Sequence, residues 1–436
     1  MTLTSVSTID DTAVLRVTGG WPLSGRIPVQ GSKNVALHLY AAALLTDTPV
    51  CLTAAPDIID THVCAQILSR TGAATTAETG RFTVAPATTV CPVIDADLGH
   101  RVRTTAVLAA AVLARAGQVV FPYPGGDAFC PRLIDRHLAA MQAAGARVTA
   151  DATGIHARAP RGRLHPFTVD VATPYGPSLG ATVTALLLAA RTPGTSRITH
   201  PSIDPEVTET ARFLAERGAI VRYENDGLHV TGSDWIAGGT FAVAGDRIEA
   251  ATMIMMAAAT GGSITLEGIS TIDLSQGLTD VFAAVGLKVA DGADGALRAH
   301  HHSLRAAQVA TGPHPGVPTD TAPQLAALLT QARGTSLITE RVYPRRDTHC
   351  AGLRAFGADI TSRGPAIRVR GPARLRAAQA AACDIRAVTA LLIAALAADG
   401  TSTIRGTFHL RRGYGHLLSN LATLGADITP TPEEAP

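Results

Sequence analysis

Charged and polar residues stand at the starts of six strongly apolar segments, and their types suit them to binding a small anion. In chain order they are Lys33-Asn34, Arg103, Ser178 with Gly180, Asp246-Arg247, Asp320 and Arg386. A helix N-terminus favours anions, because its free N–H groups and the helix dipole make that end positive. Side-chain capping accounts for Asp320, Asp246 and Ser178. It does not account for the lysine and the two separate arginines, which an anionic ligand would stabilise.

Lys33 is unusual for a second reason. The chain has 37 basic residues but only two lysines, Lys33 and Lys288, and the abundance of Ala, Gly and Thr is typical of a GC-rich bacterium. The simplest alternative is a solvated surface lysine. Its position after Gly31-Ser32, at a helix start that recurs along the chain, favours a functional role. The GxxxxGK[ST] spacing of a P-loop is absent.

The apolar segments belong to an internal repeat. One phrase, the end of an amphipathic helix followed by Gly and β-branched residues, recurs every 68 to 73 residues, at Gly72, Gly145, Gly218, Gly286, Gly357 and Gly425. Glycine ends helices because it accepts the left-handed conformation, and β-branched residues favour strands. A second phrase, an apolar helix followed by a small polar turn and a β run, recurs at the same spacing. The pattern predicts six α/β units, each with two helices and about four short strands.

A helix that is apolar almost all round must be enclosed by other elements. We therefore expect two globules of three units, each with three apolar helices at its centre and with strands and amphipathic helices outside. An open solenoid is the alternative, but its units of ~20–50 residues are shorter than these. If the two globules face each other through the helix starts, the cleft between them holds several cations and a few carboxylates.

Composition excludes several classes of function. The formal net charge is +2, 17% of residues are charged and no basic run occurs, which argues against a chain that coats nucleic acid. The longest apolar stretches, such as residues 388–398, are shorter than the ~20 residues that cross a bilayer. Residues 1–11 lack the basic and apolar regions of a signal peptide. We expect a cytoplasmic protein that binds neither nucleic acid nor membrane.

Metal and cofactor motifs are missing from the sequence. The six cysteines show no CxxC or zinc-ligand spacing, and reduced thiols are the expectation. His301-His302 and His314 lack metal-ligand spacing. No GxGxxG follows a strand pattern, so a dinucleotide is not expected. We expect a protein without cofactor or metal.

Five short segments resemble the enolpyruvyl transferase family, in its order and spacing. They are Gly31-Ser32-Lys33-Asn34, Pro124-Gly125-Gly126-Asp127 with Pro131-Arg132, Asp246-Arg247-Ile248-Glu249, Pro318-Thr319-Asp320 and Arg412-Gly413-Tyr414. The resemblance covers about residues 15–428 and is nearer to UDP-N-acetylglucosamine 1-carboxyvinyltransferases than to 3-phosphoshikimate 1-carboxyvinyltransferases. It implies an α/β fold with two inside-out α/β barrels, built from six repeats of about 70 residues, three per domain. The implied first domain comprises residues 1–32 and 246–436, the second comprises 33–245, and the active site lies in the cleft.

The resemblance also implies roles for individual residues. Lys33, Arg132 and Arg412 match the residues that bind phosphoenolpyruvate, where guanidinium groups hold carboxylate and phosphate. Arg103, Arg346 and Arg386 match further cleft arginines tied to domain closure. Asp320 matches the carboxylate beside the acceptor hydroxyl and is the candidate general base. The remaining matches are Ser178 and Gly180 (nucleotide phosphate), Asp135 (uracil), Asn34 (acceptor), and Arg247 with Glu249 (interdomain hinge).

Two residues are candidates for the general acid. Where the family usually has cysteine, this chain has Asp127. An aspartate donates a proton there only if burial or neighbouring carboxylates raise its pKa. Cys130 lies three residues further on and is the second candidate for the acid, after Asp127. As an alternative, Cys130 is a small apolar filler.

The implied acceptor is a uridine nucleotide. Relatives that act on the sugar nucleotide usually have basic residues where this chain has Asp57, Ile59 and Gly176. Their absence favours an acceptor with less charge, and so the UMP enolpyruvyl transferases of nikkomycin- and polyoxin-type antibiotic pathways. In these enzymes the 3′-hydroxyl of UMP would receive the enolpyruvyl group. UDP-N-acetylglucosamine is the alternative acceptor, and a non-catalytic uridine-nucleotide-binding protein of the same fold is the second alternative.

Overall fold

The computed structural model describes residues 13–127, 129–130 and 133–432. The chain divides into two compact units. Unit 1 comprises Met1–Gln30, Asp127–Cys130 and Gly245–Pro436, and unit 2 comprises Gly31–Gly126 and Pro131–Ala244. The sequence predicts a second domain that runs without interruption from residue 33 to residue 245. In the structure, the segment Asp127–Cys130 within that range is grouped with unit 1.

Short strands and helices alternate along the described chain. The strands are β1 (Val14–Gly19), β2 (Ser24–Pro28), β3 (Val50–Ala55), β4 (Ala74–Glu78), β5 (Gly80–Ala85), β6 (Gln118–Phe121), β7 (Arg147–Asp151), β8 (Gly154–Arg158), β9 (Thr168–Asp170), β10 (Ala172–Thr173), β11 (Gly176–Pro177), β12 (Gly194–Thr199), β13 (Ile220–Glu224), β14 (Gly227–Gly232), β15 (Gly239–Ala242), β16 (Ser263–Glu267), β17 (Leu287–Asp291), β18 (Leu297–His301), β19 (Gln308–Ala310), β20 (Gly334–Thr339), β21 (Asp359–Arg363), β22 (Ala366–Gly371), β23 (Gln379–Ala381), β24 (Gly400–Arg405) and β25 (Asp427–Thr431). The helices are α1 (Lys33–Ala43), α2 (Ile59–Arg70), α3 (Ala96–Gly99), α4 (Thr105–Ala116), α5 (Asp135–Ala143), α6 (Leu179–Ala190), α7 (Pro205–Ala215), α8 (Arg247–Ala259), α9 (Gln276–Val285), α10 (Ala322–Leu329), α11 (Thr348–Ala355), α12 (Ile385–Ala397), α13 (Phe408–Arg411) and α14 (Leu417–Thr423). Single 3₁₀ turns lie at Pro160–Gly162, Thr271–Asp273 and Thr319–Thr321.

Unit 1 is built around three apolar helices. The helices α8, α10 and α12 pack against one another, and each also packs against its own four-stranded sheet. The sheets run β17-β18-β16-β2 beside α8, β19-β20-β22-β21 beside α10, and β23-β24-β1-β25 beside α12. The amphipathic helices α9, α11 and α14 pack on the edge strands β17, β21 and β25. Almost every residue of α8 and α12 is buried, as expected for helices that are apolar on all faces.

Unit 2 repeats this plan with α1, α4 and α6 as its apolar helices. The helix α4 packs against both α1 and α6. The sheets run β15-β3-β5-β4, β13-β14-β12-β9 and β6-β8-β7, and a parallel bridge from Val93 to Val120 extends the last one. In the other five of these sheets, the matching position holds a short parallel strand. The hairpin β10–β11 is an addition to this plan, and it leads directly into α6.

The repeated glycines adopt the conformation that the sequence pattern indicated. All six have φ between +90° and +111°, which is the left-handed region that side chains with a Cβ avoid. The two units have separate hydrophobic cores, one formed by residues of unit 1 and one by residues of unit 2. None of the helices in the described part of the chain has both the length and the apolarity that crossing a membrane would need.

Candidate active site

The candidate base of unit 1 lies between two buried arginines. Asp320 sits in the 3₁₀ turn Thr319–Thr321 that precedes α10. Its Oδ1 accepts a hydrogen bond from Arg346 Nη1, and its Oδ2 accepts one from Arg386 Nη2, each at 2.8 Å. The two arginine side chains are 2% and 6% exposed, whereas that of Asp320 keeps 26% exposure. The carboxylate therefore faces solvent in part, while the cations that hold it are enclosed.

This arrangement fixes the charge of Asp320. Burial raises the pKa of its carboxyl, but Arg386 and Arg346 outweigh that effect and hold the pKa well below its usual range. Asp320 is thus an ionised carboxylate at any ordinary pH. The interpretation of Asp320 as a helix cap was wrong, because its oxygens bond to the two guanidinium groups and the turn shows no side-chain cap.

The candidate acid also lies against cations. Asp127 Oδ1 forms an ion pair with Arg412 Nη1, and both side chains are buried. His409 Nδ1 lies 3.6 Å from the same oxygen, and Asp127 Oδ2 accepts a hydrogen bond from the backbone N–H of Ile385 at 3.3 Å. Among the described residues, the buried carboxylate of Asp127 therefore lies against the side chains of Arg412 and His409.

The second acid candidate belongs to the same segment. Cys130 is half-buried and follows Phe129, whose ring lies under the guanidinium of Arg346 at 4.2 Å. Another thiol was missed at the sequence level. Cys383, which is exposed, precedes the N-cap of α12, and Asp127 contributes to its electrostatic surroundings. Burial, Asp384 and Asp127 all raise the pKa of the Cys383 thiol, so it is held protonated.

In unit 2, Lys33 is the first residue of α1, and Ser32 caps that helix. Lys33 Nζ lies 3.0 Å from Asp60 Oδ2, and the two side chains are only 11% and 4% exposed. The position of Lys33 at a helix start predicted an external anion that would offset its charge. The structure supplies Asp60, in the first turn of α2, as an internal one. Asn34 is the next residue of α1 and is partly exposed.

The other arginines at helix starts are likewise held by the protein. Arg103 precedes α4 by two residues, and its Nη2 donates to the carbonyl oxygen of Leu133 at 2.9 Å. Arg386 is the second residue of α12, which is capped by Asp384 through the N–H groups of Arg386 and Ala387. Arg132 lies outside the described residues.

The start of α6 forms a compact polar group. Ser178 is the N-cap and accepts from the N–H of Ala181. Gly180 follows in the first turn, and a Cβ at this position would lie 2.7 Å from Cε1 of His137, so only glycine lets the ring approach. The predicted uracil contact, Asp135, is the first residue of α5, and its side chain is well exposed.

His137 was missed at the sequence level. It follows Asp135 by two residues, and its ring packs against Gly180 while Nδ1 bonds to Thr184 Oγ1 at 2.8 Å. Burial lowers its pKa to about 3, with smaller contributions from Arg103 and His38. The imidazole is therefore neutral. A histidine two residues from a predicted contact was the only available signal, and a single histidine has low specificity.

The predicted hinge residues surround the start of α8. Asp246 caps this helix by accepting from the N–H groups of Ile248 and Glu249. Glu249 is fully buried, and its Oε2 accepts from the backbone N–H of Gln30 at 2.8 Å. Burial, with Asp246 adding to it, raises the pKa of Glu249 to about 8. Arg247 is also buried. A hinge role for this region stays a prediction.

A metal-compatible cluster occurs away from these residues. Among the described residues, the hairpin of β13 and β14 brings together Glu224, Asp226 and His229. The Asp226 carboxylate already pairs with Arg197 at 2.8 Å and with His229 at 2.8 Å. Exposed acidic groups of this kind are ordinary surface features, so we assign no metal to them.

Comparison with known proteins decides the family. The model of the family described as EPSP synthase (3-phosphoshikimate 1-carboxyvinyltransferase) matches residues 17–421. The chain belongs to the EPSP synthase family. The EPSP synthase-family relatives include UDP-N-acetylglucosamine 1-carboxyvinyltransferase 2 of Listeria monocytogenes serovar 1/2a, which is 33% identical over 95% of this chain and 97% of its own. The UDP-N-acetylglucosamine 1-carboxyvinyltransferase of Hyphomonas neptunium is 36% identical over 95% of this chain and 97% of its own.

Solved structures of EPSP synthase-family proteins agree with this assignment. The enolpyruvyl transferase NikO from Streptomyces tendae superposes with a TM-score of 0.87, covering 98% of this chain and 100% of its own at 29% identity. An EPSP synthase from Acinetobacter baumannii gives a TM-score of 0.76, covering 96% of this chain and 100% of its own. Its 18% identity shows a shared fold alone. The predictions of an α/β fold and of an enolpyruvyl (carboxyvinyl) transferase are confirmed.

Proposed function

We propose that this protein transfers the enolpyruvyl group of phosphoenolpyruvate to a hydroxyl of a uridine nucleotide and releases phosphate. The proposed acceptor is the 3′-hydroxyl of UMP, in the biosynthesis of a nucleoside antibiotic. One observation carries the chemistry. Asp320 is an ionised carboxylate held by two buried arginines at the start of an apolar helix, in a chain of the EPSP synthase family.

The reaction is an addition followed by an elimination. Asp320 takes the proton of the acceptor hydroxyl while that oxygen attacks C2 of phosphoenolpyruvate, and a general acid protonates C3. The conjugate base of that acid then takes a proton from C3, the carbon–carbon double bond re-forms, and the bond from C2 to the phosphate oxygen breaks with phosphate as the leaving group. Asp127 is the first candidate for the acid and Cys130 the second.

Binding of the anionic substrate to the arginines around Asp320 would activate this carboxylate as a base. Two guanidinium groups make the carboxylate a weak base, because they favour its charged form. Phosphoenolpyruvate brings a carboxylate and a phosphate, the groups that guanidinium binds best. When Arg346 or Arg386 turns to the substrate, Asp320 becomes more basic at the moment a base is needed.

Substrate binding is assigned to the remaining matched residues. Lys33, Arg132 and Arg412 would bind phosphoenolpyruvate, and Arg103 adds charge in unit 2. In the same way, Asp127 would be freed for proton transfer when Arg412 turns from it to the substrate. The acceptor contacts would come from Asn34, Asp135, Ser178 and Gly180.

The choice of UMP is supported by three positions at which relatives that act on the sugar nucleotide usually have basic residues. Asp57 pairs with His62 at 2.9 Å and accepts from Thr79 at 2.8 Å, and Ile59 begins α2. Gly176 lies in the hairpin before α6. None of the three residues supplies positive charge, and the similarity to the enolpyruvyl transferase NikO supports enolpyruvyl transfer as the chemistry.

The alternative acceptor is UDP-N-acetylglucosamine. It is supported by the names of relatives that are 33% and 36% identical over nearly the whole chain. A non-catalytic uridine-nucleotide-binding protein remains the second alternative.

The same plan in six sheets supports the finer fold proposal, in which two inside-out barrels are built from six repeats. Five of the sheets share one strand order, and the sixth replaces its short parallel strand by the bridge from Val93 to Val120.

The test is phosphate release from phosphoenolpyruvate with UMP, with UDP-N-acetylglucosamine, and with 3′-deoxy-UMP. We expect release with UMP and none with the 3′-deoxy analogue. Release with UDP-N-acetylglucosamine alone would establish the alternative acceptor. No release with any uridine nucleotide, together with measurable UMP binding, would support the alternative of a non-catalytic nucleotide-binding protein.

A further inference from the structure

A chain of buried hydrogen bonds in unit 1 leads from Asp320 into the three-helix core. Arg386 Nη2 donates to Asp320, and its Nη1 donates to the hydroxyl of Tyr414 at 2.7 Å. That hydroxyl lies 3.2 Å from Thr252 Oγ1, to which Gln324 Nε2 donates at 3.3 Å. Tyr414, Thr252 and Gln324 are at most 1% exposed. The inner members of this chain have no part in the reaction described above.

The donors and acceptors give this chain a direction. Thr252 Oγ1 lies 2.7 Å from the carbonyl oxygen of Ile248, which can only accept, so the threonine hydroxyl donates there. Thr252 must then accept from Tyr414. Because the tyrosine O–H donates a hydrogen bond to Thr252, its oxygen accepts from Arg386, whose guanidinium has donors only. The hydroxyl of Tyr414 is thus oriented so that a lone pair of its oxygen points at the guanidinium of Arg386.

The side chain of Gln30 forms hydrogen bonds with the backbone on both sides of Tyr414. Gln30 Nε2 donates to the carbonyl oxygen of Gly413 at 2.7 Å, and the N–H of Gly415 donates to Gln30 Oε1 at 2.9 Å. Arg412, in the same segment, carries the ion pair with Asp127. The segment Arg412–Tyr414 therefore supplies both the hydroxyl that contacts the arginine of the base and the cation that pairs with the candidate acid.

We propose that Tyr414 is a positioning residue, whose hydroxyl holds Arg386 against Asp320 and thereby sets the proton affinity of the base. The proposal rests on the proposed function, in which Asp320 is the general base. The hydroxyl is one of two acceptors that the guanidinium of Arg386 uses among the described residues, and the other is Asp320 itself. Without the tyrosine hydroxyl, Nη1 of Arg386 becomes an unpaired buried donor, which is costly, so the guanidinium moves out of its position against Asp320 to reach another acceptor.

Tyr414→Phe tests this with the smallest change, since it removes only the oxygen. With Arg386 released, the ion pair with Asp320 weakens, and the pKa of Asp320 rises toward its ordinary value. We expect kcat to fall about tenfold while the KM for phosphoenolpyruvate changes less than threefold. We also expect the acidic limb of the pH–rate profile to move to higher pH, an effect that a general loss of packing would not cause.

Tyr40→Phe is a matched control. Tyr40 is a fully buried tyrosine of α1 in unit 2, its hydroxyl bonds to Thr61 Oγ1 at 3.1 Å, and its ring stacks on Phe82. It loses the same atom without affecting any arginine. We expect Tyr40→Phe to leave the pH–rate profile unchanged, whatever it does to thermal stability.

A measurement without turnover separates this proposal from the proposed function. The carboxyl carbon of Asp320 can be followed by NMR in protein labelled at aspartate, and assigned by its absence in Asp320→Asn. In the wild type we expect no titration of this signal down to pH 4, and in Tyr414→Phe we expect titration to begin above pH 4. An Asp320 signal that behaves alike in both proteins would overturn the proposal, even if the wild type proved inactive. A wild type without transferase activity, combined with the expected difference between the Asp320 signals of the two proteins, would count against the proposed function alone.

Discussion

Replacing Asp320 by Asn should lower the stability of unit 1 by an amount that follows from its contacts. The change keeps the shape but removes the charge that faces two guanidinium groups of 2% and 6% exposure. Removing one partner of a buried ion pair costs ~3–5 kcal/mol. Because Asp320 is 26% exposed and the amide oxygen still accepts one hydrogen bond, we expect a loss of about 2 kcal/mol. For a unit of this size, that lowers Tm by about 4–8 °C.

The same substitution should nearly abolish turnover. Loss of a general base costs ~10²–10⁴-fold in rate, which a phosphate-release assay with phosphoenolpyruvate and UMP measures directly. Asp399→Asn is the control, because Asp399 pairs with Arg374 on the surface, where both side chains are more than half exposed. It should change neither Tm nor rate. An Asp320→Asn variant within tenfold of the wild-type rate would refute the role of Asp320 as base.

The pH dependence of the stability difference checks the electrostatic part. A carboxyl whose folded pKa is depressed contributes stability above its unfolded pKa of ~3.9 and loses it as pH falls through the folded value. The stability gap between wild type and Asp320→Asn should therefore stay constant from pH 8 to about pH 5, narrowing only in more acidic solution. A gap that closes between pH 7 and pH 5 would show that the two arginines do not hold Asp320 as the structure indicates.

Three further substitutions or reagents test other parts of the site. Lys33→Met should lower kcat/KM by about 100-fold or more, because the variant loses a buried cation that would bind the substrate. Lys288→Met, at an exposed strand position, is the control and should have no effect. Equal rates in the two variants would show that Lys33 is not part of the site. Fosfomycin, an epoxide that alkylates thiols, should inhibit poorly since Asp127 replaces the usual cysteine, and rapid covalent labelling of Cys130 would instead identify that thiol as the acid. Glu249→Gln should abolish a decline in stability between about pH 4.3 and pH 8, because a carboxyl with a raised folded pKa loses its stabilising effect over that interval; parallel urea midpoints of both proteins from pH 5 to pH 8 would contradict this.

Local features of the fold were predictable because they depend on neighbouring residues. The helix caps Ser178 and Asp246 act on N–H groups two or three residues ahead, so their sequence alone indicates them. The repeated glycines end helices for a similar local reason. The resemblance to a known family then suggested catalytic and binding roles, which no local rule provides.

The electrostatic partners were not predictable, because packing brings them together from distant parts of the chain. Lys33 meets Asp60, Asp320 meets Arg386, and Asp127 meets a residue of the last repeat. Each pairing changes the chemical interpretation of its members. Position alone suggested a helix cap at Asp320, whereas the structure shows a carboxylate held by two cations. No periodicity in the sequence encodes such a contact.

The central claim is that this chain transfers an enolpyruvyl group to UMP. The most direct measurement is the ratio of kcat/KM for UMP to that for UDP-N-acetylglucosamine, with phosphoenolpyruvate saturating and the products identified by mass spectrometry. We expect a ratio of at least 100 and a UMP product that carries one enolpyruvyl ether at the 3′ position. A ratio below one, with enolpyruvyl-UDP-N-acetylglucosamine as the product, would contradict it.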